Sequence, residues 1–297
     1  RNLKLALAAR GFYEAQTIKL IADAQVADAL LLDPATTPIR VSLPLSDDHT
    51  TLRPSLLPGL LTVAARNVRQ GASTIRFIEA GTVFSGGTGT EESQHLALLV
   101  SGDAIPTSWA EKSDRSLDVF DLTGVLSSVA PLELKPTEDP AFLLSADLTI
   151  AGKKIGRLVQ LHPARARELD LDSAVVAAEL DLDKLRNASS QQPRFQELPK
   201  FPAITRDVAM ELPLDLPNAD LAAFFTDARQ AEPLLQSASP FDLFVDSSGE
   251  KISPDRKSLA YNLVYRDPTR TLKTEEVDAA HERILGSLTS LFPAQIR

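Results

Sequence analysis

Between residues 55 and 70 the apolar side chains fall on a single stripe. Leu56, Leu57, Leu60, Leu61 and Ala64 recur at helical spacing, and Gly71 follows as a stop, which predicts an amphipathic helix. Its approach is dense with turn signals. Over residues 42–61, Leu43-Pro44, Ser46-Asp47, Arg53-Pro54 and Pro58-Gly59 alternate with leucines. Each proline fixes its own φ and pushes the preceding residue toward extended backbone, so a strand, a tight corner and a helix start are expected there. Residues 2–9 carry Leu3, Leu5 and Leu7 among alanines and read as the tail of a helix that Gly11 ends, and residues 23–31 read as a short helix.

Beyond Gly71 the extended pattern takes over. Strands are expected at 75–78, 81–84, 94–101, 146–150, 154–161 and 175–182, with Ala151-Gly152-Lys153 as a hairpin turn, residues 118–124 leading into a helix that runs to about 129, and a short helix at 162–169. This is an α+β domain built on an antiparallel sheet. A polar, proline-containing stretch at 187–195 (NASSQQPRF) then marks a linker. After it come a strand at 204–212, a helix at 218–230 capped by Asn218, strands at 235–245 and 257–266, a helix at 274–291 with Thr274 as its cap and Glu275 and Glu276 in its first turn, and a final strand at 294–297. That order, βαββαβ, is the ferredoxin-like arrangement. The expected domains are 1–190 and 196–297.

Composition narrows the function classes. A chain of 297 residues is long enough for two cores, and 43% hydrophobic with 24% charged residues is ordinary for a globular protein. Neither a membrane-length apolar run nor a secretory leader pattern occurs, and the cytoplasmic location that is expected is consistent with the absence of cysteine. The first residues are Arg-Asn-Leu rather than Met, the expected look of a piece of a longer protein. With no cysteine, disulfides, thiolate catalysis and cysteine zinc sites are excluded within these residues. The net charge of −9 argues against broad binding to polyanions, but leaves room for a local basic patch that reads one folded RNA.

Candidate chemistry is sparse. The four histidines (49, 95, 162, 281) lack the i, i+3 or i, i+4 spacing of a metal pair, and no metal site is expected. Gly86-Gly87-Thr88-Gly89 precedes Glu91-Glu92 rather than a helix, so it reads as a hairpin tip instead of a phosphate cradle. Asp47-Asp48 and the Asp170/Asp172 pair sit in turns, where capping and solvation are their expected work. No catalytic residues are expected.

Several ordered motifs resemble one family. LRPSLLPGLL at 52–61, Ala65-Arg66-Asn67 before Gly71, and RFIEAGTVF at 76–84 come first. Trp109 with VFDLTGV at 119–125, Leu161-His162-Pro163 and Ala178-Glu179-Leu180-Asp181 follow. KFPAITRDVA at 200–209, KSLAY at 257–261 and DPTRTLKTEEV at 267–277 complete the set. Together they are similar to the C-terminal part of the bacterial phenylalanyl-tRNA synthetase β subunit, over essentially the whole chain. Thr123 stands where that family usually has lysine, and Thr205 where it has arginine.

The resemblance implies a class II synthetase-like but non-catalytic domain followed by a ferredoxin-fold anticodon-binding domain. In catalytic class II enzymes an arginine beyond the second-motif hairpin holds the ATP α-phosphate, because a guanidinium meets two oxygens at once. Here Ser85-Gly86-Gly87 follows Phe84, and no Gly-x-Gly-x-x-Arg third motif comes later. The family further implies an α subunit that carries the chemistry, tRNA(Phe) as partner, a heterotetramer, and ATP with Mg used by the full synthetase but not by this part. Residues expected at the subunit interface are Leu3, Leu5, Leu7, Arg53, Leu56 and Leu57.

Alternation along the strand at 257–266 sends Leu259, Tyr261, Leu263 and Tyr265 toward the helices and Ser258, Ala260, Asn262, Val264 and Arg266 to the open face. That face is expected to be small and polar at its centre, without the aromatic pair of an RRM. Expected RNA contacts are Lys200, Arg206, Asp207, Lys257, Ser258, Asn262, Arg266 and Arg270. The competing expectation is a non-catalytic protein- or ligand-binding module with a ferredoxin-like domain.

Overall fold

In the computed structural model, residues 2–86, 89–106, 108–111, 115–188 and 197–296 are described, and the chain divides into two compact units, Arg1–Pro193 and Arg194–Arg297. The linker expected at 187–195 lies, from residue 189 onward, outside the described residues, as do Gly87 and Thr88 of the glycine-rich tip and Arg297 of the final strand.

The first unit contains α1 (Asn2–Ala8), β1 (Tyr13–Glu14), β2 (Leu20–Ile21), a 3-10 turn (Asp23–Asp28), β3 (Ile39–Arg40), β4 (Thr51–Leu52), α2 (Leu57–Arg69), β5 (Thr74–Ser85), β6 (Glu91–Gly102), α3 (Val119–Val129), β7 (Glu133–Thr137), β8 (Phe142–Ile150), β9 (Lys153–Leu161), α4 (Pro163–Glu168), β10 (Val175–Asp181) and α5 (Leu182–Ala188). Seven strands form one sheet in the order β1-β5-β6-β10-β9-β8-β7, in which only the β1–β5 pair is parallel. β2, β4 and β3 make a separate three-stranded sheet.

Helices cover both faces of the large sheet. On one, Leu96, Leu98 and Val100 of β6 meet Leu7 of α1, Leu122 and Leu126 of α3 and Leu185 of α5. On the other, Ala97 and Leu99 meet Leu57, Leu60, Leu61 and Ala64 of α2. Hence β6 is buried without interruption from His95 to Ser101 instead of alternating. Between β8 and β9, Ala151 (φ 49°) and Gly152 (φ 75°) both adopt positive φ, the backbone of a tight hairpin turn.

Three expectations for this unit are corrected. The two strands expected at 75–78 and 81–84 are one, β5, because Glu79-Ala80-Gly81 is no turn. Glu79 is instead buried in an ion pair with Arg53, and a Cβ on Gly81 would lie 2.4 Å from the Arg53 Nη2. The helix expected at 23–31 is the shorter 3-10 turn, whose start is held by the Ala22 N–H donating to the Gln25 side chain. Leu7, Arg53, Leu56 and Leu57 were expected at a subunit interface, but each is at most 3% exposed and is spent on this unit's own core. The apolar density of the 53–61 corner is what α2 needs to seal the sheet. Leu3 is half-buried and Leu5 is exposed, so these two alone of the six present surface.

The second unit runs β11 (Ile204–Pro213), α6 (Asn218–Ala231), β12 (Leu235–Val245), β13 (Arg256–Tyr265), α7 (Thr274–Leu291) and β14 (Gln295–Ile296). Its sheet, in the order β12-β13-β11-β14, is antiparallel throughout. Leu259, Tyr261, Leu263 and Tyr265 of β13 and Val208, Met210 and Leu212 of β11 pack with Leu221 and Phe225 of α6 and Val277, Ile284 and Leu288 of α7. Both helices therefore cover one face. Neither expected cap residue caps its helix. Asn218 Oδ1 accepts from the Tyr261 hydroxyl at 2.5 Å, and α7 begins instead with Glu276 accepting from the Lys273 N–H at 3.0 Å.

Candidate nucleic-acid interface

In the first unit the strand registers set Glu79, Ala97, Glu179, Arg157 and Asp147 side by side across β5, β6, β10, β9 and β8. This polar row beneath α2 is the nearest thing to a catalytic constellation, and its charges are consumed by structure. Glu179 is fully buried. It accepts from Ser55 Oγ at 2.7 Å and the Leu56 N–H at 3.1 Å, and its other oxygen lies 2.7 Å from His95 Nδ1. Arg53 donates to Glu79 at 2.7 Å, to Thr17 Oγ1 at 2.8 Å and to the Thr82 carbonyl at 2.9 Å. Arg157 donates to Asp139 at 2.8 Å. Burial pushes the Asp139 carboxyl up, but the Arg157 guanidinium and the Ala141 N–H together hold it below the usual range.

An ATP site does not fit these residues. The β5–β6 hairpin ends with Phe84 opposite Glu92 and Ser85 opposite Glu91, so carboxylates stand where phosphates would need cations. Arg53, the buried guanidinium nearby, is already neutralised by Glu79. Among the described residues no group of three or more His, Asp or Glu side chains is placed to hold a metal ion.

The second unit has an open sheet face. Opposed residues share a face, so the registers give its rows directly. Ser258 lies between Phe244 and Glu211, Ala260 between Asp242 and Ala209, Asn262 between Ser239 and Asp207, and Val264 between Ser237 and Thr205. Small residues do occupy the centre. A single aromatic ring, not the pair of an RRM, stands at one end of the face. Phe244 is 38% exposed, and Lys251 Nζ lies 5.8 Å from its ring centroid. Alternation on β11 and β13 carries no sign of it. On β12, bulges between Leu235 and Ser237 and between Pro240 and Asp242 break the period of two and bring Asp242 and Phe244 outward. Lys251 leaves the following loop, which Asp246 organises. The Ser248 hydroxyl and the Lys251 N–H donate to that carboxyl and hold it far below its ordinary value.

The expected RNA contacts separate into distinct places. Ser258, Asn262 and Asp207 share the open face, with Asn262 Nδ2 donating to Asp207 at 2.6 Å. Arg266 continues the outward set just past β13, beside Lys200. Two residues are corrections. Arg206 has the parity of Val208 and Met210, so it lies on the helix side, where it pairs with Asp278 of α7 at 2.8 Å rather than with Asp207. Lys257 lies opposite Leu212 on that same side and donates to the carbonyls of Leu214 at 3.0 Å and Leu216 at 2.5 Å. Arg270 forks onto both oxygens of Glu276 at 2.8 and 2.7 Å. The pair holds the Glu276 carboxyl down to about 2, and Arg270 is correspondingly raised.

With this geometry in hand, two family models match. One is described as the phenylalanyl tRNA synthetase beta chain CLM domain, over residues 1–182, and the other as the ferredoxin-fold anticodon binding domain, over residues 199–297. The chain belongs to the phenylalanyl-tRNA synthetase β-chain family. Among its relatives, the phenylalanine–tRNA ligase beta subunit of Bacillus thuringiensis is 31% identical over all of this chain and 38% of its own length. That of Geobacillus kaustophilus is 32% identical over all of this chain and 37% of its own length. The Xanthomonas axonopodis protein is 36% identical over 86% of this chain and 32% of its own length. The chain thus spans well under half of the relatives it matches. No described helix is long and apolar enough to cross a membrane.

Proposed function

We propose that this chain is the scaffold and anticodon-reading part of a cytoplasmic phenylalanine–tRNA ligase: the first unit supports a catalytic α subunit within a heterotetramer, and the second reads the anticodon of tRNA(Phe) on its open sheet face. Membership of the family and the anticodon-binding description matched by residues 199–297 support this reading. ATP and Mg serve the assembled enzyme at the α subunit, in keeping with the carboxylates at the β5–β6 hairpin and the committed polar row of the first unit.

The observation that carries the reading is Phe244 beside Asp242 on the open face, with Ser258 and Asn262 in the neighbouring strand. An exposed ring supplies a surface on which an unstacked base stacks, and a carboxylate accepts from base N–H groups that a phosphate-binding cation ignores. Residues 196–297 hold 11 Lys and Arg against 16 Asp and Glu, so base contacts rather than bulk charge must carry recognition on this face. Phe244→Ala in the assembled enzyme tests it. Loss of one stack, worth ~1–3 kcal/mol, raises the Kd for tRNA(Phe) by about 5- to 150-fold while melting is unchanged. An unaltered Kd would remove the open face from RNA recognition.

A further inference from the structure

The cations of the second unit are mostly neutralised. Arg206, Arg270 and Arg283 pair with Asp278, Glu276 and Glu232, and Arg256 and Lys257 are held by backbone carbonyls. Three others converge on one cavity of about 710 Å³. They are Lys200 before β11, Arg229 in the last turn of α6 and Arg266 just beyond β13, with Pro199, Pro233 and Leu235 among the walls. Arg266 Nε is buried and has no hydrogen-bond partner among the described residues. Among the described residues the single carboxylate lining the cavity, Glu197, approaches Lys200 no closer than 3.8 Å, beyond hydrogen-bond reach. A buried guanidinium N–H without an acceptor is destabilising, a penalty that a bound anion would remove.

The position of the cavity says which anion. It lies at the end of the sheet where β12 begins and β13 ends, bounded on the helix side by Thr226, Arg229 and Gln230 of α6 and beyond the Ser237–Val264–Thr205 row of the open face, whereas Phe244 stands at the opposite end of that face. From Ser258, beside Phe244, to Val264 is six residues of strand, about 20 Å. A single strand laid along the face with one base on Phe244 brings its backbone to the cavity a few nucleotides later. Phosphodiester oxygens match the forked donors of two arginines and the point charge of a lysine.

We infer that Lys200, Arg229 and Arg266 form a phosphate-binding pocket that seats the backbone of the RNA strand flanking the anticodon and fixes its register along the sheet. This rests on the proposed anticodon reading and adds to it a site that carries no sequence information of its own.

The test uses the assembled ligase and an RNA hairpin bearing the phenylalanine anticodon, with affinity measured across a salt series. The variants are Lys200→Gln/Arg229→Gln, both at exposed positions, and Arg266→Lys, which keeps the charge but loses the fork. Phe244→Ala reports on the face reading separately. The double variant should weaken binding severalfold and lower the slope of log K against log salt by about 0.7 for each single-strand phosphate lost. Phe244→Ala should weaken binding at unchanged slope. A hairpin with an uncharged methylphosphonate at the flanking linkage should lower the slope for the unaltered enzyme and not for the double variant. Arg266→Lys should lose affinity at unchanged slope. Pocket variants that keep the unaltered enzyme's affinity and slope while Phe244→Ala still weakens binding would overturn the pocket and leave the face reading standing. Failure of all three variants to change binding would overturn both. Inorganic phosphate binding at the pocket without competing with the hairpin would make it a free-anion site and also overturn the inference.

Discussion

The Arg53–Glu79 pair lets the commitment of the synthetase-like sheet to structure be measured. Both side chains are 4% exposed, and Arg53→Met removes the donor to Glu79 at 2.7 Å together with those to Thr17 and the Thr82 carbonyl. Glu79 keeps only the Thr17 hydroxyl at 2.8 Å and the Thr17 N–H at 3.2 Å, neither of them charged. Breaking a buried pair by deleting one partner costs about 3–5 kcal/mol, mostly the penalty of the charge left behind. Replacing both partners by apolar residues of similar volume, Arg53→Met/Glu79→Leu, should recover most of that loss. Native-state hydrogen exchange at β5 and β6 amides reads the effect locally, without requiring the two units to unfold together. The single variant should exchange roughly 10²- to 10⁴-fold faster there, and the double variant should return to within about tenfold of the parent. Additive losses in the double variant would refute the reasoning, because Arg53 would then be acting through its packing and not through Glu79.

Two further outcomes follow from the same geometry. Burial, and then the nearby Arg206 charge, hold the His281 ring below its ordinary 6.5, with Nδ1 2.9 Å from the Tyr265 hydroxyl. The unfolded chain therefore binds the proton first as pH falls through 6.5, so stability of the second unit should drop below that pH and be flat just above it. His281→Gln should remove this dependence in urea titrations, and an unchanged pH profile would count against it. Gly71 (φ +93°) and Gly102 (φ +85°) both need left-handed backbone, but a Cβ meets nothing within 4 Å at Gly71 and lies 2.1 Å from the Ser73 carbonyl oxygen at Gly102. Gly71→Ala should cost about 1–2 kcal/mol and Gly102→Ala about 3 or more, ranked by urea midpoint; equal losses would show that φ alone matters.

Much of the architecture was legible in the residues because pattern and punctuation agreed. The βαββαβ order of the second unit follows from alternation in β11 and β13 and the helical stripe of α7. Legibility failed where a long-range partner overrode a local signal. Glu79-Ala80-Gly81 looks like a turn until Arg53 arrives from 26 residues away, and Asn218 looks like a cap until Tyr261 claims its oxygen. The open face was half legible. Ser258, Asn262 and Asp207 follow from period two, whereas Asp242 and Phe244 depend on bulges that only the paired strand defines. Arg206 and Lys257 were read by charge, although their parity with Val208 and Leu259 already sent them to the helix side.

The margins of the sheets carry a consequence of their own. In the seven-stranded sheet the outer strands are β1, two residues long, and β7, whose sequence Glu133-Leu134-Lys135-Pro136-Thr137 sets a lysine and a proline on the rim. In the four-stranded sheet they are β14, also two residues long, and β12, interrupted by Pro240 and two bulges. A rim that is short, or that lacks an N–H at its middle, gives an incoming strand no continuous ladder to extend. Edge-to-edge zipping between crowded copies of this chain is thereby disfavoured.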